Sequence, residues 1–453
     1  MLCPVCGYME GSKPADTEAF SPGTVLAARY MVGNVVVSGE ESITYQGYDR
    51  QLELFVLIRQ KRKQADEEHF LQKARWFANF KNNHSIVDIY GCRKMAGIYF
   101  MILEYAEGIP GIKKFPQNIV SESILVRGKD ILVGKESRFR IIDFEIMLEP
   151  GYKCGPAEDG SEEGPIAFLK KDTVLHRYYR IIKPIGQGGF GITYLAFDEV
   201  LGRRVAIKEY MPSEWVTRNV SDQCLEVVSS AVLDRYKRGV SRFRDEAVIM
   251  AALNENPLIA SVYDFFRENE TAYIVMEYVD GQNVGKLGRL IGGFEYAAAK
   301  DIFRNILCAV SAIHRKGIIH GDISPGNVML DKKNSVKLID FGSAHLRGKH
   351  RALMADIMIK PGYAAIEQYD GEYPEDERSD VYQSAATFYT LITGETPVEA
   401  SVRWQGDNLK FPSELGIGIP ERDEQALRKA LEVCPDRRMA GIREFMDALY
   451  GGG

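Results

Sequence analysis

The sequence lacks an apolar run long enough to cross a bilayer, and a segment such as YIVMEYV at residue 273 has only the length of a strand. No basic region followed by an apolar core is visible near Met1, so no secretory signal is expected. Cysteine is scarce, because only 7 of the 453 residues are cysteines and they are scattered along the chain. These absences argue against a disulfide framework and predict a cytoplasmic protein with reduced thiols and no membrane span.

A second CxxC motif is also missing, although Cys3 and Cys6 have the spacing of a zinc knuckle. A closed structural zinc site needs four ligands. The pair is therefore either half of a zinc site that distant ligands or a second chain complete, or two free thiols in an N-terminal tail over residues 1–20. The tail is the favoured interpretation.

Positive charge is not in excess. The formal net charge of −6 argues against nucleic acid, and against an anionic membrane, as the main partner. With 45% apolar and 26% charged residues, the composition is that of an ordinary globular protein, and the length suits two domains.

The chain contains an internal duplication. Residues 24–59 and 173–208 align at a constant shift of 149 positions with 12 identical residues. Average residue usage would give only about two identities by chance. Two further blocks repeat as well: residues 70–104 resemble 243–277, and RIIDFE resembles KLIDFG. The sequence therefore consists of two copies of one pattern.

The two copies differ in length. The shift grows to 173 in the second block, so the second copy holds 24 additional residues near YMPSEWVTRNVSDQC. A stretch rich in Gly, Pro and acidic residues separates the copies. We therefore predict a first copy over residues 21–149, a linker over 150–171 and a second copy over 172–453.

A glycine-rich segment, GQGGFGITY from Gly186, opens the second copy. A GxGxxG pattern alone is shared by dinucleotide-binding folds and kinases. Here the chain continues as a β-branched and aromatic strand rather than a helix, and VAIK follows, ending in Lys208. The combination predicts a glycine hairpin that lets the backbone approach phosphates, followed by a strand with a phosphate-binding lysine.

The next two segments are also typical of a site that binds a nucleotide. RFRDEAVIMAAL has helical periodicity, and after VAIK we expect Glu246 to pair with Lys208, although most helix glutamates are simply exposed. YIVMEYVDG is typical of a strand that runs into a hinge. The backbone of Glu277 and Val279 would meet the adenine edge there, and Met276 would line the back of the pocket unless it is plain core.

HGDISPGNVML, residues 320–330, and KLIDFG supply two acids and an amide. Phosphoryl transfer needs an aligned acceptor hydroxyl and neutralised phosphate charge. We expect Asp322 to accept the hydroxyl proton, and Asn327 and Asp340 to hold Mg²⁺, which favours hard oxygen ligands. A lone aspartate is more often a turn or a helix cap, but this spacing is too specific for that interpretation.

In this order, the motifs of residues 176–450 resemble those of a bacterial eukaryotic-type (Hanks-type) Ser/Thr protein kinase. PGYAAIEQY resembles the APE segment of that family, with Glu367 in the place of its Glu and Arg438 as the buried partner. The helix of SDVYQSAATFYTLITGETP resembles the one that anchors the catalytic loop through Asp380.

The resemblance implies an α+β fold with a β-rich small lobe and an α-rich large lobe, preceded by a partial kinase-like small-lobe domain. It also implies transfer of the γ-phosphate of ATP to Ser or Thr hydroxyls of a protein substrate, with Asp322, Lys208 and Glu246 as the catalytic residues. The residues implied in nucleotide binding are Gly186, Gly188, Gly189, Gly191, Thr193, Ala206, Lys208, Met276, Glu277 and Val279.

Some positions depart from the family. Gly321 replaces the usual Arg that receives an activation-loop phosphate, and residues 344–362 contain no Ser, Thr or Tyr. We therefore expect activity without phosphorylation of that loop. Ser324 replaces the usual Lys, which removes a cation expected near the γ-phosphate.

Two other functions remain open on the sequence. HGD with PxN also resembles small-molecule phosphotransferases of the aminoglycoside and choline type, but these generally lack the APE-like segment and its Arg. A non-catalytic ATP-binding scaffold is the other alternative. The complete set of catalytic residues in the second copy disfavours it.

The first copy has lost this chemistry. The loop glycines are replaced by Val37, Gly39 and Ser42, and the paired Lys and Glu by Arg59 and Lys73, which would repel each other. The remaining counterparts of the catalytic residues are Asn118, Ser123 and the Asp143-Phe144-Glu145 segment. We expect a truncated, catalytically dead regulatory module that docks on the second copy or on a substrate, because its apolar runs would otherwise be exposed. The alternative is a decaying duplicate that merely folds.

Overall fold

The computed structural model describes residues 16–79, 86–95, 97–105, 109–110, 118–121, 124–133, 139–146, 168–219, 221–348, 359–370 and 373–451. Cys3, Cys6, Ser123 and nearly all of the predicted linker lie outside these residues. The chain divides into two compact units, one of Met1–Val248 with Val262–Glu277, the other of Ile249–Ser261 with Tyr278–Gly453. Within the described residues, every helix is too short or too polar to span a membrane.

The first unit begins with a six-stranded antiparallel sheet and one helix. Its elements are β1 (Val25–Leu26), β2 (Tyr30–Ser38), β3 (Ser42–Asp49), β4 (Leu54–Lys61), α1 (Glu67–Asn79), β5 (Ile89–Met95) and β6 (Ile98–Glu104). The strand order is β1-β2-β3-β4-β6-β5. Phe70, Ala74 and Phe77 recur with helical spacing, so one face of α1 is buried with Leu57 and Met101 of the sheet.

A smaller antiparallel sheet follows in the chain. Its strands are β7 (Ile109–Pro110), β8 (Asn118–Ser121), β9 (Ile124–Val133) and β10 (Phe139–Ile146). Strand β9 is central, because it pairs with the other three.

The second six-stranded sheet also belongs to the first unit. Its elements are β11 (Val174–Leu175), β12 (Tyr179–Gly188), β13 (Gly191–Asp198), β14 (Arg203–Tyr210), β15 (Val216–Arg218), β16 (Leu225–Val227), α2 (Leu233–Ala251), β17 (Val262–Glu268) and β18 (Thr271–Glu277). Strands β15 and β16 form a separate hairpin, which accounts for part of the additional length of the second copy. The main sheet has the order β11-β12-β13-β14-β18-β17.

The two six-stranded sheets share strand order and register. Thr44 pairs with Arg59 where Thr193 pairs with Lys208. Even the irregularity in the last hairpin recurs, between Ile89 and Gly91 in the first sheet and between Val262 and Asp264 in the second. A one-residue slip would turn every side chain to the opposite face, so equal registers place equivalent residues on equivalent faces.

Buried charges join the two sheets within the first unit. Asp264 of β17 contacts Arg29, which precedes β2, and lies 2.9 Å from Arg93 Nη2 of β5. The Tyr179 hydroxyl donates to the same carboxylate at 3.0 Å. Burial by itself raises the pKa of Asp264, but the two guanidinium groups outweigh it and hold that pKa well below the usual range.

Apolar packing and backbone bonds extend this contact. Leu201, in the turn between β13 and β14, belongs to the same buried cluster as Phe70, Phe77 and Ile89 of the first sheet. Arg203 donates to the carbonyl oxygens of Ile89 and Tyr90 at 3.3 and 3.0 Å. The contact between the sheets is therefore a buried, mixed polar and apolar surface rather than a few exposed pairs.

The second unit is mainly helical. Its elements are β19 (Gly281–Asn283), α3 (Val284–Ile291), α4 (Tyr296–Arg315), β20 (Ile318–Ile319), β21 (Val328–Asp331), β22 (Val336–Leu338), β23 (His345–Leu346), α5 (Glu367–Asp370), α6 (Glu377–Thr393), α7 (Ala400–Gln405), α8 (Glu421–Ala430) and α9 (Ile442–Tyr450). Strands β19, β21 and β22 form a small sheet in that order.

Helix α6 is the centre of the second unit. It begins with a capping box between Asp376 and Ser379, and it ends at Gly394, whose φ of 74° favours glycine. Every residue from Ser379 to Ile392 is buried. Phe388 stacks on Phe303 of α4 with ring centroids 4.3 Å apart. This buried helix supports the loop that carries Asp322, because Asp380 of α6 accepts hydrogen bonds from that loop.

Candidate active site

Lys208 and Glu246 come together in the first unit. Strand β14 presents Lys208 between Thr193 and Ile274 of the neighbouring strands. Helix α2 brings Glu246 to it, and Lys208 Nζ lies 2.7 Å from Glu246 Oε1. Glu246 is buried, while Lys208 is half-buried.

The glycine-rich hairpin has two kinds of glycine. Gly188 and Gly191 pair at its tip. A Cβ at Gly191 would lie 2.4 Å from the Glu209 carbonyl oxygen, so the fold itself requires glycine there. A Cβ at Gly188 would meet nothing within 4 Å. The fold therefore gives no reason for glycine at 188, which agrees with a loop that approaches a ligand.

The predicted adenine residues fall in both units. Ala206 pairs with Met276 in the sheet of the first unit, and Met276 is buried. Glu277 ends β18 in that unit, whereas Val279 is a buried residue of the second. Their roles toward a nucleotide stay predictions.

Helix α6 holds the loop around Asp322 through hydrogen bonds to Asp380. Asp380 accepts from the backbone N–H groups of His320 and Gly321 at 2.9 and 2.8 Å, and His314 Nε2 lies 2.7 Å from the same carboxylate. Burial raises the pKa of Asp380, but these hydrogen bonds prevail and lower it. The prediction that Asp380 anchors this loop is confirmed.

Asp322 and Asn327 meet within the same loop. The Asn327 amide nitrogen donates to the Asp322 backbone oxygen at 2.8 Å and to its Oδ2 at 2.9 Å. Both bonds use the nitrogen, so the amide oxygen is the hard ligand that Asn327 can offer a cation. Burial raises the pKa of Asp322, and nearby Lys360 opposes this. A carboxylate in this environment is a better proton acceptor than an exposed one.

Lys360 is a residue beside Asp322 that was not predicted from the sequence. Its ammonium nitrogen lies 3.1 Å from Asp322 Oδ1 and 3.2 Å from Oδ2, and it donates to Ser324 Oγ at 2.8 Å. The missing cation at Ser324 is thus matched by a cation from a segment far along the chain. The available signal was a lysine directly before PGYAAIEQY, in a chain with Ser at position 324.

Asp340 and Glu367 are the remaining predicted residues of the second unit. Asp340 has a φ of 71°, and its carboxylate accepts from the Gly342 N–H at 3.1 Å. Glu367 forms a fully buried ion pair with Arg438, whose two terminal nitrogens lie 2.7 and 3.2 Å from the carboxylate. The predicted Glu367–Arg438 pair is confirmed, and it is far from solvent, as a structural pair would be.

In the first copy, the equivalent positions carry different groups. Arg59 Nε donates to Thr44 Oγ1 at 3.2 Å, and Lys73 pairs with Glu41 at 2.8 Å. In the first copy, two buried basic residues, Arg59 and Lys73, therefore occupy the positions equivalent to those of the Lys208–Glu246 ion pair. Asn118 and Asp143 lie on β8 and β10 of the small sheet.

Comparison with known proteins identifies the region that holds this site. The family description "protein kinase domain" matches residues 179–438, more than half of the chain. A probable serine/threonine-protein kinase of Clostridium acetobutylicum is 29% identical over 284 residues, which is 61% of this chain and 40% of that protein. Serine/threonine-protein kinase PknB of Mycolicibacterium smegmatis is 33% identical over 281 residues, 59% of this chain and 41% of that one.

A solved structure gives the same result for the fold. The structure titled "PpkA-294 apo form" is similar with a TM-score of 0.56 and 28% sequence identity, and the similarity covers 62% of this chain and 99% of that one. The chain spans about two fifths of the length of curated relatives such as these.

Proposed function

The chain belongs to the protein kinase family, and from this premise we propose that it transfers the γ-phosphate of ATP to Ser or Thr hydroxyls of a protein substrate. The observation that carries the proposal is the Asp322–Asn327 pair, which Asp380 anchors to α6. This pair offers a proton acceptor and a hard oxygen ligand within one loop, which is what phosphoryl transfer to a hydroxyl needs.

Each residue has a defined role in the proposed reaction. Lys208, oriented by Glu246, binds the α- and β-phosphates. Asp322 accepts the proton of the attacking hydroxyl. Protein kinases use ATP with a divalent metal, which neutralises phosphate charge, and we propose that it is Mg²⁺. The Asn327 amide oxygen and the Asp340 carboxylate fit such an ion, because Mg²⁺ takes few protein ligands besides phosphates and water.

The proposed nucleotide contacts come from three places. The glycine hairpin, with Gly186, Gly188, Gly189, Gly191 and Thr193, would cover the phosphates. Ala206 and Met276 would face the adenine ring, and the backbone of Glu277 and Val279 would bond its edge. The four cysteines described, Cys92, Cys224, Cys308 and Cys434, are free thiols, which agrees with a reducing, cytoplasmic location.

The assay uses labelled ATP, Mg²⁺ and the full-length chain with a set of generic acceptor proteins. We expect labelled phosphoserine or phosphothreonine with the wild type and almost none with Asp322→Asn. Equal incorporation by both proteins would refute the proposal. Labelling of aminoglycosides or choline without labelling of any protein would assign a small-molecule phosphotransferase instead.

We also propose that the first copy is a catalytically dead, kinase-like regulatory module. The support is its sheet, which has the strand order and register of the second sheet. The order β7-β9-β10 likewise parallels β19-β21-β22 of the second unit. Phosphoryl transfer by this copy is not expected. Arg59 and Lys73, which are both basic, cannot form an ion pair with each other, and Asn118 is a poor proton acceptor.

The contact between the sheets supports a regulatory role. Asp264, Tyr179, Leu201 and Arg203 of the second copy take part in it, and none of them is among the residues proposed to act directly in phosphoryl transfer. The contact includes β17, and β17 pairs with β18, the strand that leads into the proposed adenine site. A change in the first copy can therefore alter how the second sheet is held.

Activity should not require phosphorylation of the segment before Pro361. Gly321 offers no guanidinium group to a phosphate, and residues 344–362 contain no hydroxyl-bearing side chain. Residues 349–358 of this segment lie outside the described part of the structure. We expect the rate to change by less than about twofold after treatment with a broad-specificity phosphatase.

The matched control is a kinase that is known to depend on a loop phosphate, treated in the same way. A large loss of activity here, together with a phosphosite mapped between residues 344 and 362, would contradict this prediction.

A further inference from the structure

The cation beside Asp322 comes from an unexpected position in the chain. We propose that Lys360 is a catalytic residue that binds the γ-phosphate of ATP during transfer, and that it supplies the ammonium group that the family usually carries at position 324. This inference rests on the proposed phosphoryl transfer and names a group that acts on the transferred phosphate.

The geometry places the ammonium group at the reacting end of Asp322. Lys360 Nζ lies within 3.2 Å of both carboxylate oxygens, one of which also accepts from Asn327. The hydroxyl to be phosphorylated must approach this carboxylate to lose its proton. A cation in contact with the same carboxylate is therefore within reach of the phosphate that the hydroxyl attacks.

Local structure fixes the position of Lys360. Its carbonyl oxygen accepts from the N–H groups of Tyr363 and Ala364 at 3.1 and 3.0 Å, which forms a tight turn. Ala364, Ala365 and Ile366 after it are buried. The backbone of Lys360 is thus held by the same segment that is anchored through Glu367 and Arg438.

Stability alone does not explain the lysine. The Lys360 side chain is 39% exposed and that of Asp322 is 26% exposed. Partly exposed ion pairs of this kind contribute little to the stability of a fold. A preorganised positive charge contributes far more to a reaction in which negative charge is redistributed on a phosphoryl group. The position is therefore better explained by chemistry than by the fold.

The contact with Ser324 supports this replacement of the ammonium group. Its hydroxyl is buried and lies 2.8 Å from Lys360 Nζ, so side chains from positions 324 and 360 reach the same point. A lysine is usual at position 324 in this family, and the serine here leaves space that the Lys360 ammonium group occupies. A chain with lysine at 324 and serine at 360 should therefore place the charge in nearly the same location.

The experiment uses four variants of the full chain: Lys360→Ala, Lys360→Arg, an exchange variant that combines Ser324→Lys with Lys360→Ser, and Lys429→Ala. Lys429 is an exposed lysine of α8 and serves as the matched control. Affinities for ATP and ADP are measured with Mg²⁺ by calorimetry, kcat is measured with a protein acceptor, and thermal unfolding checks the fold.

For Lys360→Ala we expect kcat to fall about 10- to 100-fold and ATP affinity to fall several-fold, with ADP affinity unchanged, because only ATP carries the γ-phosphate. Lys360→Arg should keep part of the activity, and the exchange variant should regain most of it. Lys429→Ala should match the wild type in every measurement.

Two results would overturn the inference. The first is a Lys360→Ala protein with wild-type kcat and the wild-type ratio of ATP to ADP affinity. The second is an equal loss of ATP and ADP affinity that the exchange variant does not recover, because that pattern would give Lys360 a structural role only. If the wild type transfers phosphate to no acceptor, the proposed function fails by itself, and the ATP and ADP affinities still decide the role of Lys360.

Discussion

Replacement of Asp322 by asparagine is expected to lower kcat by about 10²- to 10⁴-fold, because the amide cannot accept the hydroxyl proton. The fold should survive. The loop is held by backbone N–H groups of His320 and Gly321 bonded to Asp380, and by the Ile323 N–H bonded to Gln383 at 2.8 Å, none of which involves the Asp322 side chain.

The measurement combines steady-state kinetics with thermal unfolding and ATP binding. Asp301→Asn, a substitution of an exposed aspartate on α4, is the matched control and should have wild-type activity. A loss of rate with unchanged melting temperature and ATP affinity would place the effect in the chemical step. Asp322→Asn with wild-type kcat would remove Asp322 from the mechanism.

Replacement of Asp264 by alanine is expected to lower the free energy of unfolding of the first unit by about 3–5 kcal/mol. The substitution leaves the buried Arg93 guanidinium group without the carboxylate it pairs with, whereas Arg29 keeps its ion pair with Asp49. Arg29, Arg93 and Asp264 are all nearly inaccessible to solvent. The pKa of Asp264 is lowered on folding, so its contribution is complete at neutral pH. That contribution is lost only as the pH falls through the lowered pKa.

The matched control for Asp264 is Asp245→Ala, which removes an exposed carboxylate from α2 and should change stability by less than about 0.5 kcal/mol. Denaturant unfolding gives the stability, and hydrogen exchange in peptides that cover β5 and β17 locates the loss. Equal stability of Asp264→Ala and the wild type would show that the charge cluster does not hold the sheets together.

The same variants test the regulatory proposal. If the first copy regulates the second through this contact, Asp264→Ala should change the phosphoryl-transfer rate or its ATP dependence, whereas Asp245→Ala should not. The rate of a chain that starts at Lys171 should change in the same direction. If neither change alters the rate, ATP dependence or substrate range, the first copy is a decayed duplicate that only folds.

Local patterns sufficed for much of this protein. The glycine segment predicted the β12–β13 hairpin, VAIK predicted the strand that carries Lys208, and RFRDEAVIMAAL predicted the helix of Glu246. The spacing of apolar residues along the chain predicts such elements, because side chains alternate between the two faces of a strand and return to the same face of a helix every 3.6 residues. The constant shifts between the two copies also indicated the duplication before the common strand order was visible.

The sequence by itself thus determined the motifs of the second copy and their order along the chain. Only the tertiary structure decided which residues that are distant in sequence form ion pairs. Lys360 reaches Asp322 across 38 positions, and Asp264 meets Arg29 across 235. Neither pair leaves a periodic signal, because a contact between distant segments depends on how whole elements pack. Ser324 looked like a lost cation for this reason, until the fold brought Lys360 to the same point.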